Sequence, residues 1–252
     1  MLEELLRLNI FGFLLIFARV GTAIAFFPGF SASYFSMRMR LSVALAISFA
    51  AMPMIAADLP TPPSAVPDLG ILVFGELTVG SFIGLMARVV IATLQTAGTV
   101  IALASAMSNA LIQDPIAEQQ SSTISGFLLT TGMVLIFVAD LHHLMIRAVV
   151  ESYELFQPGK LLLMGDFTQL FARRVADSFA LGVQLAAPAI VLGLTYYIGL
   201  GLLGRLMPQL PVFFFGLPVQ ISMQLWVLTV SVSGIMMIFA ERFRVAVGTI
   251  VP

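Results

Sequence analysis

Between Ile71 and Ser105 the chain runs for 35 residues with two charged side chains, Glu76 and Arg88. As a single helix this block would extend about 50 Å, well beyond the ~30 Å hydrocarbon core of a bilayer. It must therefore be broken, steeply tilted, or surrounded by protein along part of its length. A water-soluble globule has no place for it. Composition points the same way: 60% of the residues are hydrophobic and 10% charged, with a mean hydropathy of +1.05, whereas soluble domains are about one quarter charged. The expected fold class is an all-α integral membrane protein, with about six long, partly broken apolar helices.

Several function classes fall away at once. A net charge of −1 leaves no basic face to neutralise phosphates, so nucleic acid is not a partner. With no cysteine there is no disulfide framework, no thiol catalysis and no thiolate metal site. The amino-terminal stretch opens on Glu3 and Glu4 instead of a basic region, and its apolar run continues past Ala23-Ile24-Ala25 into Phe26 and Phe27. It reads as an uncleaved first span.

Prolines and charges divide the chain into six apolar blocks. The first runs from Leu8 to Phe30 and ends in Pro28-Gly29; the second, after Arg38 and Arg40, from Leu41 to Ala57. Asp58 to Asp68 holds four prolines in eleven residues and reads as a stiff, extended linker. In the third block, Gly80 and Gly84 form a small-xxx-small face that permits close helix approach. The fourth block spans Ile124 to Val150, and a polar segment follows from Glu151 to Asp177. The fifth, Ser178 to Gly204, should kink at Pro188. The last ends near Glu241, its start made irregular by Pro211 and Pro218. Six basic residues against three on the alternate sides of six spans favour both termini in the cytoplasm.

Polar groups inside these blocks must face protein or water, since a central charge in lipid costs about 2.5 to 3.5 kcal/mol on insertion scales. Arg19 lies too deep to snorkel and needs a carboxylate or several carbonyls. Glu76 and Arg88, twelve apart, would be about 18 Å apart on one helix and cannot pair. Asp140, His142 and His143 raise a metal reading, but adjacent histidines should point to different helix faces and no cysteine completes a tetrahedral site. A hydrogen bond between Asp140 and His143, three apart, is the plainer expectation. No HExxH, GxSxG, GxxxxGK[ST] or dinucleotide fingerprint occurs, so no enzyme, cofactor or metal is expected. Glue between helices or subunits accounts for these groups more simply than a proton relay. Ser105 to Thr123 interrupts the apolar pattern with Met107, Asn109, Gln113, Asp114, Pro115, Glu118 and Gln119; it is either a surface turn or backbone in a water path.

Taken in order, these motifs resemble the FliR family, the R subunit of the flagellar type III protein export gate, whose injectisome counterpart is the SctT family. The resemblance covers essentially the whole chain. Its carriers are Ala18-Arg19 with Gly21 and Pro28, Arg40-Leu41, Gly75-Glu76 with Gly80, Gly84 and Arg88, then Gly98 and Asp114-Pro115. Asp140 with His142 and His143, Ala187-Pro188, Gly201-Leu202-Leu203 with Arg205, Pro208-Gln209 and the Phe213 to Pro218 run complete it. Two positions depart: Leu141 stands where the family has glycine, and Leu210-Pro211 where an asparagine is usual.

The resemblance implies a non-enzymatic channel subunit of the bacterial inner membrane, in the flagellar basal body. In that family one R subunit joins several P and Q subunits (FliP, FliQ) in a closed helical assembly, with FlhB and FlhA as further partners and unfolded exported proteins as cargo. It implies a P-like part over residues 1–177 and a Q-like helix pair over 178–252, with a plug at 106–122 that occludes the pore at rest. Arg19, Glu76, Gly80, Gly84, Arg88, Asp140, His142, His143, Arg205, Pro208 and Gln209 are the expected intramembrane and assembly residues. Two alternatives stay open: a small-solute secondary transporter coupled through Glu76, Arg88 and Asp140, and a purely structural scaffold.

Overall fold

The computed structural model describes residues 2–31, 35–56, 59–63, 65–106, 122–160, 164–207, 209 and 212–248. Among them the chain is helical, with eight helices and no strand: α1 (Leu2–Phe26), α2 (Met37–Ile55), α3 (Val66–Ala104), α4 (Thr123–Val138), α5 (Leu141–Leu155), α6 (Met164–Leu185), α7 (Ala187–Leu206) and α8 (Val212–Gly248). Four have the length and apolarity to cross a membrane, at Met37–Ile55, Val66–Ala104, Ala187–Leu206 and Gly216–Gly248. The bent pair α4 and α5 makes a fifth when taken as one broken span, and Ile10–Phe26 of α1 is a shorter apolar helix.

The six blocks become eight helices because two of them break. The long third block does not: α3 is continuous over 39 residues, about 58 Å. Of the three options for it, a break is excluded. It begins inside the expected linker, with Pro67 in its first turn, where a missing N–H costs nothing. Block four breaks at Ala139-Asp140, where Asp140 takes a left-handed conformation (φ 56°) that Asp tolerates better than most residues. Leu141, the departure from the family pattern, is a buried helical residue at the start of α5.

Block five breaks at Ala186, two residues before Pro188. Pro188 lies in the first turn of α7, and its ring excludes a regular helix over the preceding turn, so α6 ends at Leu185. The polar segment from Glu151 to Asp177 is largely helical among its described residues. α5 runs on to Leu155, and α6, which carries Asp166, Arg173, Arg174 and Asp177, begins at Met164. α8 passes through Pro218 as one helix.

The chain forms two compact units, one of residues 1–90, 137–174 and 243–252, the other of 91–136 and 175–242. In the first, Leu15, Ile16, Ile24, Ile83, Met145 and Phe243 are buried; in the second, Leu94, Ile101, Leu128, Ile136 and Phe239. α7 and α8 instead leave Val191, Leu194, Ile198, Trp226, Val230 and Met237 more than half exposed. That is apolar surface for lipid or another subunit, not for water.

Candidate functional site

Arg19 is the centre of the first unit. It is 1% exposed, and Glu76, 3% exposed, faces it from α3. Its Nε donates to Glu76 Oε2 at 2.6 Å and its Nη2 to Glu76 Oε1 at 3.0 Å, a two-pronged pairing. Nη1 donates to Ser152 Oγ at 3.1 Å, and Nη2 also to the Phe156 carbonyl at 2.7 Å. The guanidinium lies 3.7 Å from the centre of the Tyr153 ring, a cation–π contact. The carboxylate and the carbonyl that the position of Arg19 demands are both there. Three helices, α1, α3 and α5, are tied by one side chain, and Ser152, Tyr153 and Phe156 join Arg19 and Glu76, which the sequence marked without pairing them.

One turn beyond Glu76, α3 presses against α1. A Cβ on Gly80 would lie 2.1 Å from Thr22 Oγ1 and 2.2 Å from the Arg19 carbonyl oxygen, so only glycine fits. Gly84 repeats the contact against Phe26 and Ala23, where a Cβ would stand 2.6 Å from Phe26 Cβ. The small-xxx-small face therefore packs α3 on α1 and brings the ion pair together. Arg88, one further turn along, is exposed, and does not share the Glu76 site.

At the break before α5, Asp140 Oδ1 lies 3.5 Å from His143 Nδ1, both side chains mostly exposed. The pairing arises across the turn instead of along a helix face, because α5 starts only at Leu141. The two histidines do not diverge as adjacent helical residues should: their ring centroids are 4.1 Å apart, and the Phe137 ring packs 5.2 Å from His142.

The expected plug residues Met107, Asn109, Gln113, Asp114, Pro115, Glu118 and Gln119 lie outside the described residues, as does Pro208. The two ends of the segment are described, both in the second unit. α3 closes with Ser105 Oγ donating to the Ile101 carbonyl at 2.6 Å, and Ala106 turns left-handed at φ 55°. The Ala104 carbonyl accepts from Gln220 Nε2 at 2.9 Å, and Gln224 Nε2, 3.0 Å from the Ala189 carbonyl, approaches the same oxygen at 3.5 Å. Both glutamines are buried.

At the other end, Ser122 Oγ caps α4 by accepting from Ser125 N at 3.1 Å and reaches the Gly98 carbonyl at 3.4 Å. A Cβ on Gly98 would stand 2.4 Å from Ser125 Cα, so α4 starts in backbone contact with α3. Sequence reasoning missed Gln220, Gln224, Ser122 and Ser125, although two glutamines four apart in an apolar run are a readable stripe. Arg205 and Gln209, at the far end of α7, are exposed.

This geometry holds helices together and fixes the ends of a polar segment; it offers no nucleophile beside a base. Comparison with known proteins identifies the setting. Bacterial export proteins, family 1, match residues 10–246. The chain belongs to that family, the FliR/SctT family. It is 37% identical to the flagellar biosynthetic protein FliR of Caulobacter vibrioides over 91% of this chain and 92% of that protein. FliR of Bacillus subtilis is 28% identical over 94% and 92%, and the secretion system apparatus protein SsaT of Salmonella typhimurium 28% identical over 64% and 62%. This FliR-family chain is accordingly a non-enzymatic, multi-pass inner-membrane component of a bacterial export apparatus.

Proposed function

We propose that the chain is the R-type subunit of a flagellar export gate, and that the segment from 106 to 122 occludes the channel at rest. The observation that carries the plug assignment is the pinning of both ends of that segment. Buried Gln220 and Gln224 hold the last carbonyl of α3, and Ser122 Oγ caps α4 and donates to the Gly98 carbonyl. A segment that must withstand an advancing polypeptide needs fixed ends, and irregular backbone at membrane depth is tolerated where it lines a cavity. In this reading FliP-like and FliQ-like subunits, with FlhB and FlhA, cover the apolar faces of α7 and α8, and unfolded flagellar proteins pass through. The division into a P-like part (1–177) and a Q-like helix pair (178–252) belongs to the same proposal. Identity to flagellar FliR over nine tenths of both chains supports the flagellar setting over an injectisome.

The transporter reading loses its motivation. Glu76 is committed to Arg19, Arg88 is exposed about 18 Å further along α3, and Asp140 faces His143. Deleting residues 110–119 in cells carrying the complete apparatus should raise ion leak across the inner membrane while co-purification with the P and Q subunits persists. Unchanged leak would remove the plug assignment and leave the scaffold reading. Co-purification of the tagged chain with no other small membrane subunit would remove the gate.

A further inference from the structure

We propose that Asp140, His142 and His143 form a binding site for a divalent transition-metal ion of the Zn2+ or Co2+ type. Each residue offers a ligand atom, and the three atoms lie within 4.8 Å of one another. The argument does not depend on the plug, since the cluster stands at the α4–α5 break.

Three observations carry it. The first is the distance. Asp140 Oδ1 and His143 Nδ1 are 3.5 Å apart, too long for a good N–H···O hydrogen bond. Two donors bound at 2.0 to 2.2 Å to one tetrahedral ion would stand about 3.3 to 3.6 Å apart. The second is convergence: neighbouring residues on a helix point about 100° apart, yet the two imidazoles meet at 4.1 Å. The third is His142 Nδ1, which is buried and has no hydrogen-bond partner among the described residues. An ion on that nitrogen would give its lone pair a partner and leave the proton on the other.

The left-handed turn at Asp140 gathers these groups. It folds the carboxylate back over the first turn of α5, where its charge offsets the positive end of the helix dipole that would otherwise repel a cation. Two imidazoles and one carboxylate favour a borderline transition metal over Mg2+ or Ca2+, which prefer all-oxygen sites. The exposure of Asp140 and His143 leaves the remaining positions to water or to a partner's ligand.

The chain has only these two histidines and no cysteine, so the test is clean once any histidine tag is removed. The full chain, purified in detergent with its co-expressed partners, is titrated with Co2+ and read by its visible absorption and by metal content. The expected result is one Co2+ more per chain than in the His142→Gln/His143→Gln complex, with affinity weakened at least about tenfold in Asp140→Asn and in His143→Gln. Both single variants alter exposed side chains. X-ray absorption of the wild-type Co2+ complex tests the proposal without any variant, because imidazole scattering must appear. Equal binding in wild type and variants, or no imidazole in the wild-type spectrum, overturns it.

Discussion

Glu76→Gln is the sharpest perturbation of the first unit. The substitution keeps the volume and removes the charge that Arg19 faces. Two hydrogen bonds, at 2.6 and 3.0 Å, join side chains that are 1% and 3% exposed. Opposite charges about 4 Å apart at an effective dielectric near 20 attract by about 4 kcal/mol. Stripping one partner from a buried pair costs about 3 to 5 kcal/mol, chiefly because the other charge stays behind. Arg19 would keep Ser152 Oγ, the Phe156 carbonyl and the Tyr153 ring, so the low end, about 3 kcal/mol, is expected. For a chain of this size that corresponds to a melting temperature lower by about 6 to 12 °C.

Thermal unfolding of the purified full-length protein in detergent, followed by far-ultraviolet circular dichroism, measures the shift. The second half of the experiment is the pair Arg19→Met with Glu76→Leu. It removes both charges and leaves the Phe156 carbonyl short of a donor, at about 1 to 3 kcal/mol. It should therefore cost less than the sum of the two single changes, with a coupling of about 2 kcal/mol. A Glu76→Gln protein melting with the wild type, or a double variant whose loss equals the sum, would refute the account of Arg19 as a charge that depends on Glu76.

Three further outcomes follow from the packing. Gly80→Ala places a methyl group about 1 Å too close to the α1 backbone and should destabilise by about 1 to 3 kcal/mol, whereas Gly75→Ala, with nothing within 4 Å of the added carbon, should gain about 0.5 to 1 kcal/mol from helix propensity; paired melting curves check both. Gln220→Leu with Gln224→Leu removes both donors from the Ala104 carbonyl and should cost about 1 to 3 kcal/mol, and, if the segment beyond α3 is the plug, raise inner-membrane leak, measured by dye uptake. Arg88→Gln, at an exposed position, should change stability by less than the scatter of surface substitutions, about 0.5 kcal/mol, while weakening recovery of partner subunits in pull-down.

Hydropathy made the membrane class and the long α3 legible, because a run such as Ile71–Ser105 admits few other solutions. It hid α6, whose Asp166, Arg173, Arg174 and Asp177 lower the average below any membrane threshold although the segment is a regular helix. The broken fourth block was equally hidden, because the left-handed turn at Asp140 is a property of one residue's backbone and leaves no trace in a window average. At Pro188 the break was legible but misplaced, since proline disturbs the turn before it. Among site residues, Arg19 announced its need for a carboxylate or several carbonyls by depth alone. The identity of its partner did not follow, because Glu76 is 57 positions away and only the glycine contact at Gly80 brings it near.

Three of the buried polar groups have a common use. Arg19 donates to the Phe156 carbonyl at the end of α5, Gln220 to the Ala104 carbonyl at the end of α3, and Ser122 accepts from Ser125 at the start of α4. Each stands where a helix end leaves backbone groups without partners, and each does there what water does in a soluble protein. With Glu76 bonded to Arg19 and Asp140 beside His143, the groups the transporter reading relied on have other partners, and that reading weakens accordingly. Arg88 and Gln95 on α3 and Arg205 on α7 are polar groups that apolar helices hold outward. A charge or amide on such a helix, facing away from its own chain, is tolerable in a membrane only against another subunit or a water-filled lumen. On the proposed gate reading, these three positions are where contacts with partner subunits or the lumen are expected, which the Arg88→Gln pull-down checks.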